Sequence, residues 1–230
     1  MKQNSELSSI QEIEPLLNCD FSVNLIQSGL DELDSILYGG LPQGSNILVT
    51  GPIGKGKSSF ARQFITQGLR QNEKCLFIAI DDDPNRIRSE LSLLTGTQIS
   101  EFESDNQIQF VDAYSWSSLT PPDNEAFAIH GALELNQLSG VISDSSGMLG
   151  QSIQQKCGGR RVIDSISSFF INFDLASIQR FLNQITRTAV AFGNVTTLFI
   201  LEQGTISEQT LNNIKYIMDG VIEFDSIDNE

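Results

Sequence analysis

The segment that most constrains this chain is Gly51-Pro52-Ile53-Gly54-Lys55-Gly56-Lys57-Ser58, which matches the pattern G-x-x-x-x-G-K-[ST] at every fixed position. A short apolar run at residues 46–50 precedes it, and an amphipathic stretch at residues 59–71 follows it. In this order of strand, glycine-rich turn and helix, loop N–H groups and the positive end of the helix face phosphate oxygens. The segment therefore predicts a phosphate-binding loop after the first strand of an α/β fold. The alternative is a flexible glycine turn that matches the pattern by chance.

Each residue type in the predicted loop suits one task in holding a phosphorylated nucleotide. The glycines let the backbone wrap tightly around the phosphates. The Lys57 ammonium can reach the β- and γ-phosphates, and the Ser58 hydroxyl can bind Mg²⁺. The candidate nucleotide-binding residues are Gly51, Gly54, Lys55, Gly56, Lys57, Ser58 and Ser59. For Lys55 the alternative is an ordinary lysine that faces solvent.

Strand and helix patterns alternate along the chain, which predicts a mostly parallel sheet with helices on both faces. The predicted strands are residues 46–50, 75–80, 107–111, 161–164, 196–201 and 220–224. The predicted helices are residues 28–37, 59–71 and 174–192, one after Asp83-Pro84, and one around Leu135, Leu138 and Ile142. A length of 230 residues suits one such domain. We predict a mobile lead-in at residues 1–25, one domain at residues 26–225 and a short acidic tail at residues 226–230.

The predicted strand at residues 161–164 ends in Asp164. Downstream of a phosphate loop, a carboxylate at a strand end is expected to hold the Mg²⁺ shell while the loop serine binds the metal directly. Ser58 and Asp164 are therefore the candidate metal-binding residues, and the alternative for Asp164 is a turn or helix-capping aspartate. Arg160-Arg161 could touch phosphate, although a basic pair before a buried strand is more often a hydrated sheet edge.

The composition argues against several classes of function. The formal net charge of −15 at pH 7 opposes non-specific binding to nucleic acid or to an anionic membrane surface. Apolar residues make up 40% of the chain, yet no apolar run is long enough to span a bilayer, and the N-terminus has no signal-peptide pattern. The three cysteines are widely spaced and form no metal or disulfide pattern, which predicts reduced thiols and a cytoplasmic location.

Five short segments stand in order along the chain. They are Ser28-Gly29-Leu30-Asp31-Glu32-Leu33, Gly39-Gly40-Leu41-Pro42-Gln43-Gly44-Ser45, the phosphate loop, Ile163-Asp164-Ser165 and Asp219-Gly220-Val221-Ile222. Together they resemble the KaiC-type branch of the RecA superfamily of ATPases. The resemblance implies ATP as the nucleotide and a RecA-like P-loop fold whose six strands, numbered along the chain, lie in the order 3-2-4-5-1-6. It also implies that the phosphate loop, Asp164 and Glu202 meet at one sheet edge.

Two features depart from the family's pattern. The family places a pair of glutamates after its second strand, and one of them is the base for the attacking water; Asp81 and Asp82 stand there in this chain. A carboxylate can still orient water, but aspartate is one methylene shorter. The alternative is that both aspartates belong to a capped helix start and a solvated acidic turn. The chain also has nothing basic after Lys215, whereas clock-type relatives carry Lys and Arg into a neighbouring subunit's site, where such cations speed turnover.

These observations leave three functional hypotheses. The first is an ATPase that couples ATP binding and slow, Mg²⁺-dependent hydrolysis to regulation, with Asp81, Asp82 and Glu202 as candidate catalytic residues. The second is an ATP-sensing interaction module that has lost efficient hydrolysis. The third is a recombinase-like DNA-binding ATPase, which the net charge disfavours.

The resemblance implies that the edge of the sheet that binds ATP is buried against a neighbouring subunit, so we expect a homo-oligomer or a regulatory protein partner. Glu202 lies where a strand end could sense the γ-phosphate. Residues 204–213 follow it and are polar with few apolar anchors, so they could switch between two conformations. The alternative is a monomer in which Glu202 merely caps a loop.

Overall fold

The computed structural model of this chain describes residues 24–117 and 125–225. Most of the predicted lead-in, at residues 1–23, and the predicted acidic tail, at residues 226–230, lie outside the described residues, as does Cys19. The proposed domain boundaries therefore stay predictions.

A small antiparallel pair and a six-stranded parallel sheet make up the β-structure of the described residues. The pair is β1 (Leu25–Ile26) with β2 (Leu41–Pro42). The sheet consists of β3 (Asn46–Gly51), β4 (Cys75–Ala79), β5 (Ile108–Asp112), β6 (Gly159–Asp164), β7 (Val195–Glu202) and β8 (Gly220–Glu223). Its strands lie in the order β5-β4-β6-β7-β3-β8, and every neighbouring pair is parallel. This confirms the strand order that the resemblance implied.

Helices cover both faces of the sheet. The α-helices of the described residues are α1 (Asp31–Ile36), α2 (Lys57–Arg70), α3 (Pro84–Thr95), α4 (Ile99–Ser104), α5 (Leu135–Met148), α6 (Phe169–Asn172), α7 (Leu175–Ala191) and α8 (Glu208–Lys215). The apolar sides of α2, α3 and α4 pack on one face, and those of α5 and α7 pack on the other. Because both faces are covered, β4 is buried and apolar along its whole length rather than alternating. None of the helices in residues 24–117 and 125–225 is long and apolar enough to cross a bilayer.

Two helices begin at aspartates whose side chains cap them. The Asp83 side chain accepts a hydrogen bond from the Asn85 N–H (2.8 Å), and Pro84 occupies the first position of α3, where its missing N–H costs nothing. Asp174 caps α7 in the same way, with the Ser177 N–H as donor (2.9 Å). The helix predicted at residues 174–192 thus begins where the cap places it.

Residues 204–213 are all exposed or half-buried, and the helix that they enter is anchored by the residue that follows them. α8 begins after Ser207, whose hydroxyl accepts from the Thr210 N–H (3.2 Å), and Ile214 in its last turn is fully buried in the core. The capping serine and the spacing of Leu211 and Ile214 indicate one apolar helix face, which the sequence analysis overlooked. The short helix α4 was also not predicted.

Arg160 and Arg161 fit neither alternative that the sequence suggested. Both side chains are completely buried at the amino end of β6, opposite to Asp164. Arg160 pairs with Glu73 (Nε to Oε2, 2.8 Å) and stacks over the Phe64 ring at 4.6 Å. Arg161 donates to Ser146 Oγ (3.2 Å), and burial lowers its pKa to about 10. These arginines are therefore internal parts of the fold, neither a hydrated edge nor a phosphate contact.

Candidate nucleotide-binding site

Three neighbouring strands end side by side at one edge of the sheet. β7 lies between β6 and β3. Because these strands are parallel, their carboxyl ends meet, and ligands of open α/β sheets bind outside such an edge. The loop after β3, Asp164 at the end of β6 and Glu202 at the end of β7 are consequently brought together.

The loop between β3 and α2 has a conformation that requires glycine at both ends. Gly51 has a φ of +147°, and a Cβ there would lie 2.2 Å from the carbonyl oxygen of Phe224. Gly56 has a φ of +91° and directly precedes Lys57, the first residue of α2. The chain thus passes from strand to helix through five residues, and the positive N-terminus of α2 begins at the loop, a geometry that favours anions.

The Lys57 side chain folds onto its own loop and onto the neighbouring strand. Its Nζ donates to the Pro52 carbonyl oxygen (2.6 Å) and forms an ion pair with Glu202 Oε2 (2.7 Å). Only 2% of the Lys57 side chain is exposed, against 24% of the Glu202 side chain. A buried ammonium needs such partners because an unpaired charge away from water is costly. Glu202 therefore holds the cation on which phosphate binding is predicted to depend.

Ser58 and Asp164 face each other. The Ser58 hydroxyl donates to Asp164 Oδ1 (3.2 Å). Asp164 is buried, which raises the pKa of its carboxyl group to about 6, while the Arg62 guanidinium and the Ser58 hydroxyl act in the opposite direction. A hydroxyl and a carboxylate at this separation fit a hydrated Mg²⁺ that takes its other ligands from phosphate and water.

Asp81 and Asp82 follow β4, the strand next to β6, and they make different contacts. Asp81 is exposed and accepts hydrogen bonds from the hydroxyls of Ser165 (2.5 Å) and Ser168. Asp82 Oδ2 pairs with Arg62 (2.7 Å), and Asp82 Oδ1 accepts a backbone N–H (2.9 Å). Both aspartates therefore lie at the edge where β6 ends, but one is bound by hydroxyls and the other by a cation.

Known proteins share this architecture. The family model described as "ATPase: KaiC" matches residues 26–230. The chain belongs to the KaiC-type ATPase family. A UPF0273 protein of Pyrococcus furiosus is 26% identical over 212 residues, which cover 90% of this chain and 81% of the relative. A UPF0273 protein of Thermotoga maritima is 24% identical over 212 residues, covering 90% and 83% respectively.

A solved structure agrees with the fold. The crystal structure of a KaiC-like protein of Pyrococcus horikoshii matches with a TM-score of 0.62 at 21% identity, covering 90% of this chain and 84% of that chain. The predicted α/β fold of the RecA-like P-loop ATPases is thereby confirmed. In general terms, membership in the KaiC-type family makes this chain an ATP-binding P-loop protein.

Besides two glycines of the loop, two predicted nucleotide-binding residues with side chains lie at the surface of this KaiC-type site. Lys55 and Ser59 are both exposed, one in the loop and the other in the first turn of α2. Exposure of Lys55 agrees with both alternatives for it, a phosphate ligand and an ordinary lysine that faces solvent.

One charged residue of the site was not predicted from the sequence. Arg62 lies on α2 one turn after Ser58, whose carbonyl oxygen accepts from Arg62 Nη1 (3.0 Å). The Arg62 side chain is 6% exposed and contacts Asp82, Asp164 and Glu90. Its neighbours along the helix are buried apolar residues, and a charge inside a buried helix face usually has carboxylate partners. A single arginine among apolar residues of the predicted helix could therefore have indicated a buried ion pair.

Proposed function

We propose that this chain binds ATP with Mg²⁺, hydrolyses it slowly, and uses its nucleotide state to regulate association with itself or with a protein partner. The observation that carries the proposal is the pairing of Ser58 Oγ with Asp164 Oδ1 at 3.2 Å, next to Lys57 at the start of α2. A serine and a carboxylate at this separation can share one Mg²⁺, and the adjacent lysine can bind the phosphates. Family membership supports ATP as the nucleotide.

Calorimetry with Mg²⁺-ATP tests the binding part. Lys57→Ala removes a charge-assisted phosphate contact worth roughly 1.5–3 kcal/mol, so the ATP affinity should fall about ten- to a hundredfold. Lys156→Ala is the matched control, because Lys156 is exposed in the loop before the amino end of β6. Unchanged ATP affinity in Lys57→Ala, or an equal loss in the control, would contradict the proposal.

We propose that the Asp81 carboxylate is the general base that accepts the proton of the attacking water. In hydrolysis the water oxygen bonds to the γ-phosphorus, the bond from that phosphorus to the bridging oxygen breaks, and ADP leaves. The proton of the water passes to a carboxylate and then to solvent. Asp81 is exposed and accepts hydrogen bonds from neutral hydroxyls, whereas Asp82 is half-buried and forms an ion pair with Arg62. We expect slow turnover because aspartate reaches less far than glutamate and because Asp81 is itself held by two serine hydroxyls.

Steady-state phosphate release tests this assignment. Asp81→Asn should lower kcat by about 10²-fold or more and leave ATP affinity nearly intact, since a general base contributes about 10²–10⁴-fold. Asp83→Asn is the matched control, because asparagine caps a helix as well as aspartate does. A wild-type chain that turns over several ATP per second would refute slow hydrolysis.

An ATP sensor without hydrolysis is the second candidate function. The observation that favours it is that all four carboxylate oxygens of Asp81 and Asp82 already accept hydrogen bonds. Wild-type phosphate release no faster than that of Asp81→Asn, together with firm ATP binding, would select the sensor. Salt-dependent binding to DNA would instead support the recombinase-like hypothesis, which the net charge of −15 disfavours.

Nucleotide-dependent association is the regulatory part of the proposal. Glu202 ends β7, pairs with Lys57, and donates its backbone N–H to Ser167 Oγ (2.8 Å). A γ-phosphate that draws Lys57 away would release this carboxylate at the start of the segment that leads to α8. Light scattering with ADP and with a non-hydrolysable ATP analogue, on wild type and Glu202→Ala, tests this. A constant monomer mass throughout, with no nucleotide-dependent partner in a pull-down, would contradict it.

A further inference from the structure

A cluster of carboxylates around the buried Arg62 connects three elements of the proposed ATP site. The Arg62 guanidinium forms ion pairs with Asp82 (2.7 Å), Asp164 (3.4 Å) and Glu90. These carboxylates belong to the segment after β4, the end of β6 and helix α3. A single cation on α2 therefore links the metal-binding carboxylate to the pair of aspartates.

The position of Arg62 is fixed and its charge is shielded from water. Its side chain is 6% exposed, and Nη1 also donates to the Ser58 carbonyl oxygen (3.0 Å) on the same helix. Arg86 approaches Asp82 (3.6 Å) and Glu90 (3.1 Å) from outside, but it is 68% exposed, so solvent screens its contribution. Arg62 is thus the internal counter-charge of the three carboxylates.

We propose that Arg62 is a positioning residue that holds Asp82 and Asp164 in fixed ion pairs and leaves Asp81 as the carboxylate that meets the attacking water. This inference rests on the proposed ATPase function. Arg62 forms an ion pair with Asp82 Oδ2, and a backbone N–H donates a hydrogen bond to Asp82 Oδ1. Asp81, one residue earlier, is exposed and is bound by neutral hydroxyls. Arg62 therefore distinguishes two adjacent aspartates, because it holds Asp82 in an ion pair and leaves Asp81 to meet the attacking water.

Arg62 also affects the metal side of the site. Its guanidinium lies 3.4 Å from Asp164 Oδ2, and a fixed positive charge there opposes the approach of a second cation. Arg62 should therefore weaken Mg²⁺ binding while it improves the placement of the aspartates. A residue that only stabilised the fold would change Mg²⁺ affinity and turnover in the same direction, so the opposite signs are diagnostic.

Arg62→Met removes the charge and keeps much of the aliphatic volume. The Mg²⁺ concentration for half-saturation of ATP binding should fall about three- to tenfold, because a competing cation is lost. The kcat at saturating Mg²⁺ and ATP should fall about tenfold or more, because Asp82 is released. Arg62→Lys keeps the charge without the planar fork, so its Mg²⁺ half-saturation should stay at the wild-type value with kcat partly restored. Arg70→Met is the matched control on α2. The Arg70 side chain is exposed and donates to the Leu94 carbonyl oxygen, so its loss should change neither quantity.

A double variant separates positioning from folding. Adding Asp82→Asn to Arg62→Met removes the carboxylate that the arginine no longer holds, so kcat should recover about threefold or more relative to Arg62→Met alone. A loss of both Mg²⁺ affinity and kcat in Arg62→Met, without recovery in the double variant, would overturn the inference. Should Arg62→Met not fold, an altered Mg²⁺ half-saturation in Arg62→Lys would overturn it equally. A wild-type chain without Mg²⁺-dependent ATP binding would refute the proposed function itself.

Discussion

Replacing Glu202 with glutamine tests whether the carboxylate that holds Lys57 competes with the γ-phosphate for this lysine. Lys57 Nζ lies 2.7 Å from Glu202 Oε2 and 2.6 Å from the Pro52 carbonyl oxygen. ATP can gain the ammonium only by displacing this ion pair and by bringing its own negative charge close to Glu202. Glutamine keeps the shape and the acceptor oxygen of the side chain but removes the charge.

The size of the effect follows from the geometry of the pair. Two unit charges about 4 Å apart interact by about 4 kcal/mol at an effective dielectric constant of about 20. The Glu202 side chain is 24% exposed, so solvent screens part of this energy. Hydrogen bonds to charged groups contribute about 1.5–3 kcal/mol net. The lower end of this range predicts that Glu202→Gln tightens the binding of ATP about tenfold.

Calorimetry on wild type and Glu202→Gln, with ADP and with a non-hydrolysable ATP analogue, measures the competition. The affinity for ADP should rise about threefold or less in Glu202→Gln, because ADP lacks the phosphate that competes most directly with Glu202. In the absence of nucleotide the variant should have a lower Tm, since the buried Lys57 loses its charged partner. Glu101→Gln, at an exposed position on α4, is the control for removing one carboxylate from the chain.

Two results would refute the reasoning. Equal tightening of ADP and the ATP analogue would show that Glu202 acts through overall charge rather than through the γ-phosphate. Weaker binding of the analogue would show that Glu202 holds Lys57 in the conformation that binds phosphate.

Three further predictions concern other parts of the molecule. Asp164→Asn should raise the unfolding free energy without nucleotide by about 1–3 kcal/mol, because burial raises the pKa of this carboxyl group to about 6 and so destabilises the charged form above that pH. Scanning fluorimetry should also show loss of stabilisation by Mg²⁺-ATP, and a lower Tm for the variant would contradict the first part. Iodoacetamide should alkylate the exposed Cys157 in the folded protein and spare Cys75, because burial raises the pKa of the Cys75 thiol to about 12. Peptide mass mapping, with urea-unfolded protein as the reference, measures the alkylation rate of each cysteine, and equal rates in the folded protein would contradict this prediction. Ile214→Ala should lower the unfolding free energy in urea by about 2–5 kcal/mol, against about 0.5 kcal/mol or less for the exposed Tyr216→Ala, and equal losses would show that α8 is not anchored as described.

The phosphate loop and the sheet could be predicted because their determinants are local. The glycines at 51, 54 and 56, the lysine and the serine specify a turn between one strand and one helix, and the structure has that turn at residues 52–56. Strand positions followed from apolar runs that are buried on both faces. The strand order, in contrast, came from the resemblance, because nothing local to a strand states which neighbour it pairs with.

The contacts within the site could not be predicted because they join distant segments. Lys57 meets Glu202 only because β3 and β7 are neighbours, and Arg62 meets Asp82 and Asp164 only because α2 crosses the ends of β4 and β6. The burial of an arginine likewise cannot be predicted from its local sequence. Arg160 is internal because Glu73 and the Phe64 ring, from other segments, surround it.

Local pairing of charges explains how a chain with a net charge of −15 can offer a site to a polyanion. Unpaired, the carboxylates at this edge would repel one another and a triphosphate. At this edge the buried cations Lys57 and Arg62 are held unequally. Lys57 is held by one carboxylate and a carbonyl oxygen, and Arg62 by three carboxylates and a carbonyl oxygen. A phosphate can therefore compete for Lys57 far more easily than for Arg62. We expect ATP to rearrange the Lys57–Glu202 pair and to leave the ion pairs of Arg62 in place. Glu202 is then the carboxylate that moves on ATP binding, while Arg62 keeps the aspartates in position.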